Sequence, residues 1–310
     1  MTRARIALAV TAAACVLAAG AGPARAYVRY RTQAGQPFVW PRTCLGFIVY
    51  PAALANMLPA DQVVAASAAA ADAWSIGQVA GTALDIQVAA ADGAAPAVAY
   101  DGQSSLAFRT DRWCKATDAP GVCSYDPAAL ALTTIFARNS TGEMLDADIE
   151  VNAKSFLWSD LELGTQASAG LHDLQNALTH EVGHFIGLEH PCLLPGTDPS
   201  VERPLDNLGN PAPDCDAASP AILESTMFPS ATSGDLSKRT LAPDDELAAR
   251  EIYPASAGAP AVCAPPQPKS DDPSDGCAVG GAAAAPAPGA LALLAAALAW
   301  RAARRRRSAR

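Results

Sequence analysis

An eleven-residue motif that holds three of the chain's four histidines constrains this chain more than any other feature. Residues 180–190 read HEVGHFIGLEH. Apolar residues recur at three- and four-residue spacing from Leu171 to Phe185, which predicts a helix with one buried face. His180 and His184 are four residues apart, so they share the opposite face of that helix.

The spacing of these histidines is typical of a catalytic zinc site. Two imidazole nitrogens one helical turn apart can bind a single zinc ion at roughly 2.0 to 2.1 Å. Gly187 is expected to end the helix in a left-handed conformation, so that the chain reverses and His190 supplies a third nitrogen. Glu181 lies beside His180, and we expect it to take a proton from water. Three protein ligands leave a fourth position open for chemistry.

With its glycine and third histidine, the motif resembles the signature of the metzincin zinc endopeptidases, H-E-x-x-H-x-x-G-x-x-H followed by a methionine turn. Met227 lies downstream, where such a turn is expected. The resemblance covers about residues 37–254 and implies an α+β fold. That fold has a twisted, mostly parallel sheet with one antiparallel edge strand, an active-site helix, and a smaller C-terminal subdomain with the methionine turn and a terminal helix.

The resemblance leaves the subfamily open. Pro191, after the third histidine, is similar to the serralysins, although the sequence lacks their glycine-aspartate repeats. Pro229, after Met227, is similar to the matrixins, the subfamily that contains the collagenases. Residues 243–253 also resemble the last matrixin helix. The fourth histidine, His172, lies off the ligand pattern, and we expect it to be a solvated residue at the start of the helix.

Sequence patterns predict the other elements of the fold. Strands are predicted at residues 44–51, 82–88, 97–108, 130–136 and 144–151, and a helix at residues 61–76. Asp61 is the expected N-cap of that helix. By resemblance, residues 130–136 form the edge strand, which would pair with an extended peptide substrate. An ordinary buried hairpin with residues 144–151 is the alternative.

The two ends of the chain differ from its middle. Residues 1–26 have two early arginines, an apolar run and a small-x-small site, which is typical of a secretory signal peptide. Residues 27–255 are the expected catalytic domain. Residues 256–276, rich in Pro, Ala, Ser and Asp, are the expected stalk. Residues 277–310 join an uncharged stretch to a cluster of arginines, which indicates contact with a membrane.

The charge of the expected exported part excludes one class of partner. Nine of the 22 lysines and arginines lie in the two ends, whereas all 31 acidic residues lie between them. The exported part therefore carries a net charge of about -18, which disfavours nucleic acid. Such an acidic surface is compatible with calcium binding outside the cell. Asp146 and Asp148 form one cluster that could bind it, but they equally suit a turn.

Six cysteines remain when Cys15 in the signal peptide and Cys277 in the tail are set aside. An even number in an exported protein predicts disulfides, and six cysteines allow 15 pairings. Proximity in sequence favours Cys114 with Cys123 and Cys192 with Cys215, which leaves Cys44 with Cys263.

The tail allows two interpretations. Its uncharged residues 278–300 could just span a bilayer as a helix, but Pro286 and Pro288 shorten the helical part. A plain anchor is therefore one alternative. The other is a sorting signal, because a cysteine, an apolar segment and an arginine cluster resemble the C-terminal signals of myxobacterial surface proteins. In that case the mature chain ends near Cys277.

These features predict an exported, cell-surface zinc endopeptidase that acts on polypeptides. Glu181 is the expected acid-base residue, and His180, His184 and His190 are the expected ligands of one zinc ion. Two rivals stay open: a surface binding module that has lost catalysis, and a zinc hydrolase that acts on non-peptide amides of cell-wall material.

Overall fold

A computed structural model describes residues 27–162, 170–197, 202–257 and 263–269. The predicted signal peptide and the tail with Cys277 lie outside these residues. Within them the strands, in chain order, are β1 (Val28–Arg29), β2 (Cys44–Val49), β3 (Asp85–Ala90), β4 (Ser105–Arg109), β5 (Ala131–Ala137), β6 (Met144–Asn152), β7 (Leu157–Ser159), β8 (Leu171–Asp173) and β9 (Leu188–Glu189). The α-helices are α1 (Ala60–Ala73), α2 (Leu174–Phe185), α3 (Pro220–Leu223) and α4 (Pro243–Ile252).

The main sheet confirms the predicted α+β class with a mostly parallel sheet. Its five strands lie in the order β3-β2-β4-β6-β5. β2 is parallel to β3 and β4, and β4 is parallel to β6. β5 is antiparallel to β6 and lies at the edge of the sheet. Burial alternates along β5, so one face of this edge strand packs on the core.

Helix α1 forms because alanine, the best helix former, dominates its sequence. Val63, Ala66 and Ala70 are buried at helical spacing. The predicted N-cap is wrong: the helix begins at Ala60, and Pro59 precedes it without a side-chain cap. Asp61 instead lies in the first turn, where a negative charge is favourable near the positive end of the helix dipole.

Helix α2 carries the histidine motif and begins later than its apolar spacing suggested. Asp173 is its N-cap and accepts a hydrogen bond of 2.8 Å from the Asn176 N–H. Leu171 and His172 lie in β8, which pairs in parallel with β7. Because this strand takes the backbone hydrogen bonds before Asp173, the helix cannot extend further back. His172 is half-buried against Phe156 at a ring distance of 5.1 Å, so the prediction that it is solvated is wrong.

The loop before β4 replaces much of the strand predicted for residues 97–108. The Asp146 carboxylate accepts hydrogen bonds from the N–H groups of Asp101 at 3.0 Å and Gly102 at 2.7 Å. Asp148 accepts one from the Ala99 N–H at 3.1 Å. These buried carboxylates satisfy backbone donors that a strand would have paired with its neighbour. The loop therefore depends on side chains from β6.

Helices α1 and α2 pack on each other and on the sheet. Trp74, at the end of α1, is fully buried and donates a hydrogen bond of 2.9 Å from its indole to the Thr179 carbonyl of α2. This bond satisfies the polar atom of a large apolar side chain in the core. The contact joins the C-terminal end of α1 to the middle of α2.

Three disulfides confirm the predicted pairings: Cys114–Cys123, Cys192–Cys215 and, as the remaining pair, Cys44–Cys263. The last of these brings residues 263–269, within the predicted stalk, against β2. There Pro266 lies close to Gly46, and the Lys269 N–H donates a hydrogen bond of 2.7 Å to the Gln103 side chain. Every helix in the described residues is too short or too polar to cross a lipid bilayer.

Removing the Cys44–Cys263 disulfide should destabilise the chain more than removing Cys114–Cys123. The two bonds close sequence separations of 219 and 9 residues, for which the chain-entropy model gives about 5 and about 2.5 kcal/mol. In urea titrations without reductant, we expect the Cys44→Ala/Cys263→Ala variant to have a lower midpoint concentration of unfolding than the Cys114→Ala/Cys123→Ala variant. Equal midpoints or the reverse order would contradict this prediction.

Candidate metal centre

The three histidines of the motif converge on one point. His180 and His184 lie one turn apart on α2 and are buried. The left-handed Gly187, with φ of 98°, ends the helix and lets the chain return through β9 to His190. His190 Nε2 lies 3.2 Å from His180 Nε2 and 3.1 Å from His184 Nε2. The predicted ligands are therefore brought together in the geometry that the motif spacing suggested.

Backbone carbonyls fix the orientation of the two helical histidines. His180 Nδ1 lies 2.7 Å from the Thr226 carbonyl oxygen, and His184 Nδ1 lies 2.8 Å from the Leu188 carbonyl oxygen. A carbonyl can only accept a hydrogen bond, so each Nδ1 carries the proton. Both Nε2 atoms are left with an unshared electron pair, which is what a metal ligand requires.

The protonation state of the rings also suits a metal. Burial lowers the pKa of His184 to about 4, and burial lowers the pKa values of His180 and His190 well below their ordinary range. All three rings are therefore neutral at pH 7. Nitrogens bound tetrahedrally to one ion at 2.0 to 2.1 Å lie about 3.3 Å apart, close to the spacing found here. Unshared pairs facing one another at such distances repel unless a cation lies between them, so this donor set fits zinc.

Glu181 lies between the two helical ligands and is held by the edge strand. It is buried, and its Oε2 accepts a hydrogen bond of 2.7 Å from the hydroxyl of Thr133 in β5. Burial raises the pKa of Glu181 to about 7, although the Thr133 hydrogen bond and the charge of Lys238 act in the opposite direction. A carboxyl group with a pKa near neutrality can both accept and donate a proton.

Met227 packs against the motif helix beside Gly183. It is buried, and a Cβ built on Gly183 of α2 would lie 2.1 Å from its sulfur. Asp245 of α4 fixes the turn before it: its carboxylate accepts hydrogen bonds from the Thr226 N–H at 2.6 Å and from the Ser225 hydroxyl at 3.1 Å. The same turn supplies the carbonyl that orients His180, so it sets the position of both a ligand and the methionine.

Lys238 places a positive charge beside the cluster. Its side chain is buried, its Nζ donates a hydrogen bond to the Phe228 carbonyl, and it lies 3.5 Å from His180 Nδ1. Burial lowers the pKa of Lys238 to about 8. Asp146 and Asp148, the cluster that could bind calcium or suit a turn, lie in strand β6 and not in a turn. Their carboxylates accept hydrogen bonds from the loop before β4.

Several residues around the histidines carry no signal in the sequence. Thr133 is 48 residues from Glu181, and Asp245 is 20 residues from Ser225. Neither separation follows from a motif, since the fold alone brings these side chains together. Asp245 offers no hint of its role, because acidic residues are common in the first turn of a helix. Lys238 offers none, because lysine in a Pro- and Ser-rich stretch is ordinarily solvated.

Replacing Gly183 by alanine should destabilise the fold. The new methyl group would overlap the Met227 sulfur and lie 2.9 Å from the Trp74 ring, and overpacking of this kind costs about 1 to 3 kcal/mol. We expect Gly183→Ala to lower the urea midpoint of metal-free protein. Gly77→Ala is the control, because nothing lies within 4 Å of a Cβ there. A wild-type midpoint for Gly183→Ala would show that the methionine can move aside freely.

The comparisons with known proteins leave the family unassigned. No protein-family model matches the chain, and no curated protein matches it. The metzincin assignment therefore stays a prediction that rests on the motif and on the geometry of the histidines, Glu181 and Met227.

Proposed function

We propose that this protein is an exported zinc-dependent endopeptidase. The observation that carries the proposal is the convergence of three imidazole nitrogens on the same helix and turn as a buried carboxyl group that contacts the edge strand β5. His180, His184 and His190 would hold the zinc ion. When bound, zinc supplies a Lewis acid that lowers the pKa of water and stabilises negative charge.

Glu181 is the residue proposed to move the proton. It lies on α2 between two of the proposed ligands, and Thr133 fixes one of its carboxylate oxygens. Glu181 takes the proton from the attacking water and then delivers it to the leaving amine, so that one residue acts as base and then as acid. Burial favours this double role because it moves the carboxyl pKa towards neutrality.

The edge strand supports a peptide as the substrate. β5 is antiparallel to β6 and has its other side unpaired within the main sheet. An extended peptide can add to such an edge through main-chain hydrogen bonds. Neighbouring strands lie about 4.8 Å apart, and Thr133 in the middle of β5 contacts Glu181 directly. A peptide that pairs with β5 would therefore pass close to the proposed base.

The same observations argue against the two alternative functions, a binding module without catalysis and a hydrolase of non-peptide amides. A binding module without catalysis has no need of a buried carboxyl group fixed between two metal ligands, and burial of that group costs stability. A hydrolase of non-peptide amides has no use for an open strand edge beside the metal position. The three disulfides are consistent with an exported protein. Attachment to the cell surface through the tail with Cys277 is part of the proposal.

The proposal is tested with purified exported protein on a protein-substrate zymogram. We expect one band of cleavage that disappears with a zinc chelator and returns when zinc is added back. Bound zinc without cleavage of any protein substrate would favour the binding module. Cleavage of peptidoglycan stem amides alone would favour the second rival.

Glu181→Gln and His184→Ala should lose activity for different reasons. Glu181→Gln keeps the shape and the zinc but lacks the proton-transfer group, so we expect a loss of at least about a hundredfold in kcat/KM. His184→Ala removes a ligand, so we expect loss of the metal itself in elemental analysis. Arg138→Gln, on an exposed ion pair of the hairpin between β5 and β6, serves as the control. Wild-type activity in zinc-loaded Glu181→Gln would contradict the proposed mechanism.

A further inference from the structure

The N-terminal segment of the described chain is part of the wall around the candidate metal centre. β1 pairs antiparallel with β9, the strand that leads directly into His190. Beyond β1, the Tyr30 N–H donates a hydrogen bond of 3.0 Å to the carbonyl of Gly187. The Tyr30 ring packs against the His184 ring at a centroid distance of 5.5 Å. Tyr30 therefore touches a ligand and the turn that leads to the next one.

Glu189 links this segment to the third histidine. Its Oε1 accepts a hydrogen bond of 2.8 Å from the His190 N–H and lies 3.7 Å from His190 Nδ1. The Tyr30 side chain also interacts with the Glu189 carboxylate. A chain of contacts thus runs from Tyr30 through Glu189 to His190.

His190 differs from the other two histidines in how it is held. Carbonyl oxygens bind Nδ1 of His180 and His184 at 2.7 and 2.8 Å. Within the described residues, the group beside Nδ1 of His190 is the Glu189 carboxylate. His190 is also the most exposed of the three, with 31% of its side chain accessible. A ligand that lacks a carbonyl anchor and faces solvent needs another group to orient it.

We propose that Glu189 and Tyr30 are positioning residues for the third metal ligand, and that they set how tightly the site holds its metal. The inference rests on the proposed function in one respect, namely that the three histidines bind zinc. Glu189 orients His190 through the backbone N–H and strengthens its Nε2 as a donor through the nearby negative charge. Tyr30 fixes the carboxylate of Glu189 and covers the edge of the His184 ring.

The charges around the site explain why this carboxylate matters. The buried ammonium of Lys238 lies on the His180 side and opposes a divalent cation. Two carboxyl groups near the cluster can balance a bound cation: Glu181 on α2, and Glu189, whose Oε1 lies 3.7 Å from His190 Nδ1. Loss of Glu189 therefore leaves the metal with less compensating charge and its third ligand with less orientation. Outer groups of this kind typically change metal affinity 10- to 100-fold.

The test measures the Zn²⁺ dissociation constant of the full exported chain by competition with a chromogenic chelator. We expect Glu189→Gln, which keeps the shape but removes the charge, to raise the dissociation constant about 10- to 100-fold. We expect Tyr30→Phe to raise it less. Because both residues act through one chain of contacts, Tyr30→Phe should add little in a Glu189→Gln background. Glu246→Gln, in a surface ion pair of α4, is the matched control and should leave the constant unchanged.

Two further measurements separate positioning from general stability. The absorption spectrum of the Co²⁺-substituted protein reports ligand geometry, and we expect it to change in Glu189→Gln but not in Glu246→Gln. Urea midpoints of the metal-free variants should stay close to that of the wild type. A wild-type dissociation constant together with a wild-type Co²⁺ spectrum in Glu189→Gln would overturn the inference.

These experiments distinguish failure of this inference from failure of the proposed function. If the wild-type chain binds no Zn²⁺, both the inference and the proposed function are wrong. If it binds Zn²⁺ tightly but cleaves no protein, the endopeptidase proposal fails while the affinity changes in Glu189→Gln and Tyr30→Phe still decide the inference. If Glu189→Gln does not fold, an unchanged dissociation constant and spectrum in Tyr30→Phe overturn it.

Discussion

Three unshared electron pairs directed at one small volume are the interaction on which the rest of this structure depends. Nε2 of His190 lies 3.1 to 3.2 Å from those of His184 and His180. Without a cation between them, the three neutral rings would repel one another, so the surrounding structure has to hold them in place. It does so with carbonyls at Thr226 and Leu188, which fix the tautomer of the two helical rings.

The parts of the chain that meet at this point are joined by buried polar contacts. Asp245 on α4 holds the turn that supplies the Thr226 carbonyl. Arg239 donates a hydrogen bond of 2.9 Å to Asp173, the N-cap of α2, and so ties the segment after the methionine turn to the start of the motif helix. Such contacts add little net stability, because each charge loses its hydration on burial. Their directional geometry instead selects one arrangement of helix and turn, which a metal site requires.

The candidate metal centre also contacts the edge of the main sheet. Thr133 belongs to the edge strand β5 and contacts Glu181, so the proposed base and the open strand edge are parts of one unit. On the opposite side, the N-terminal segment lies against the turn before His190. The centre is therefore built from segments far apart along the chain, and its integrity depends on the whole fold rather than on α2 alone.

The sequence by itself determined what depends on local spacing. The i, i+4 histidines, the left-handed Gly187, the two disulfides between cysteines near in sequence and the strand at residues 130–136 were predictable, because helix period, glycine freedom and short loops act locally. Cys44–Cys263, with a separation of 219 residues, was predictable only as the remaining pair. Local reasoning failed where distant groups intervene. The predicted strand at residues 97–108 is shorter because Asp146 and Asp148 on β6 take its backbone donors.

Only the tertiary structure decided which side chains complete the centre. Thr133 beside Glu181, Asp245 under the methionine turn, Lys238 beside His180 and Tyr30 beside His184 are brought together by the fold. His172 likewise became half-buried because β8 pairs with β7 and carries its ring against Phe156. The physical reason is that a hydrogen bond or a ring contact acts over a few ångströms of space, whatever the separation along the chain, and no local pattern records that distance.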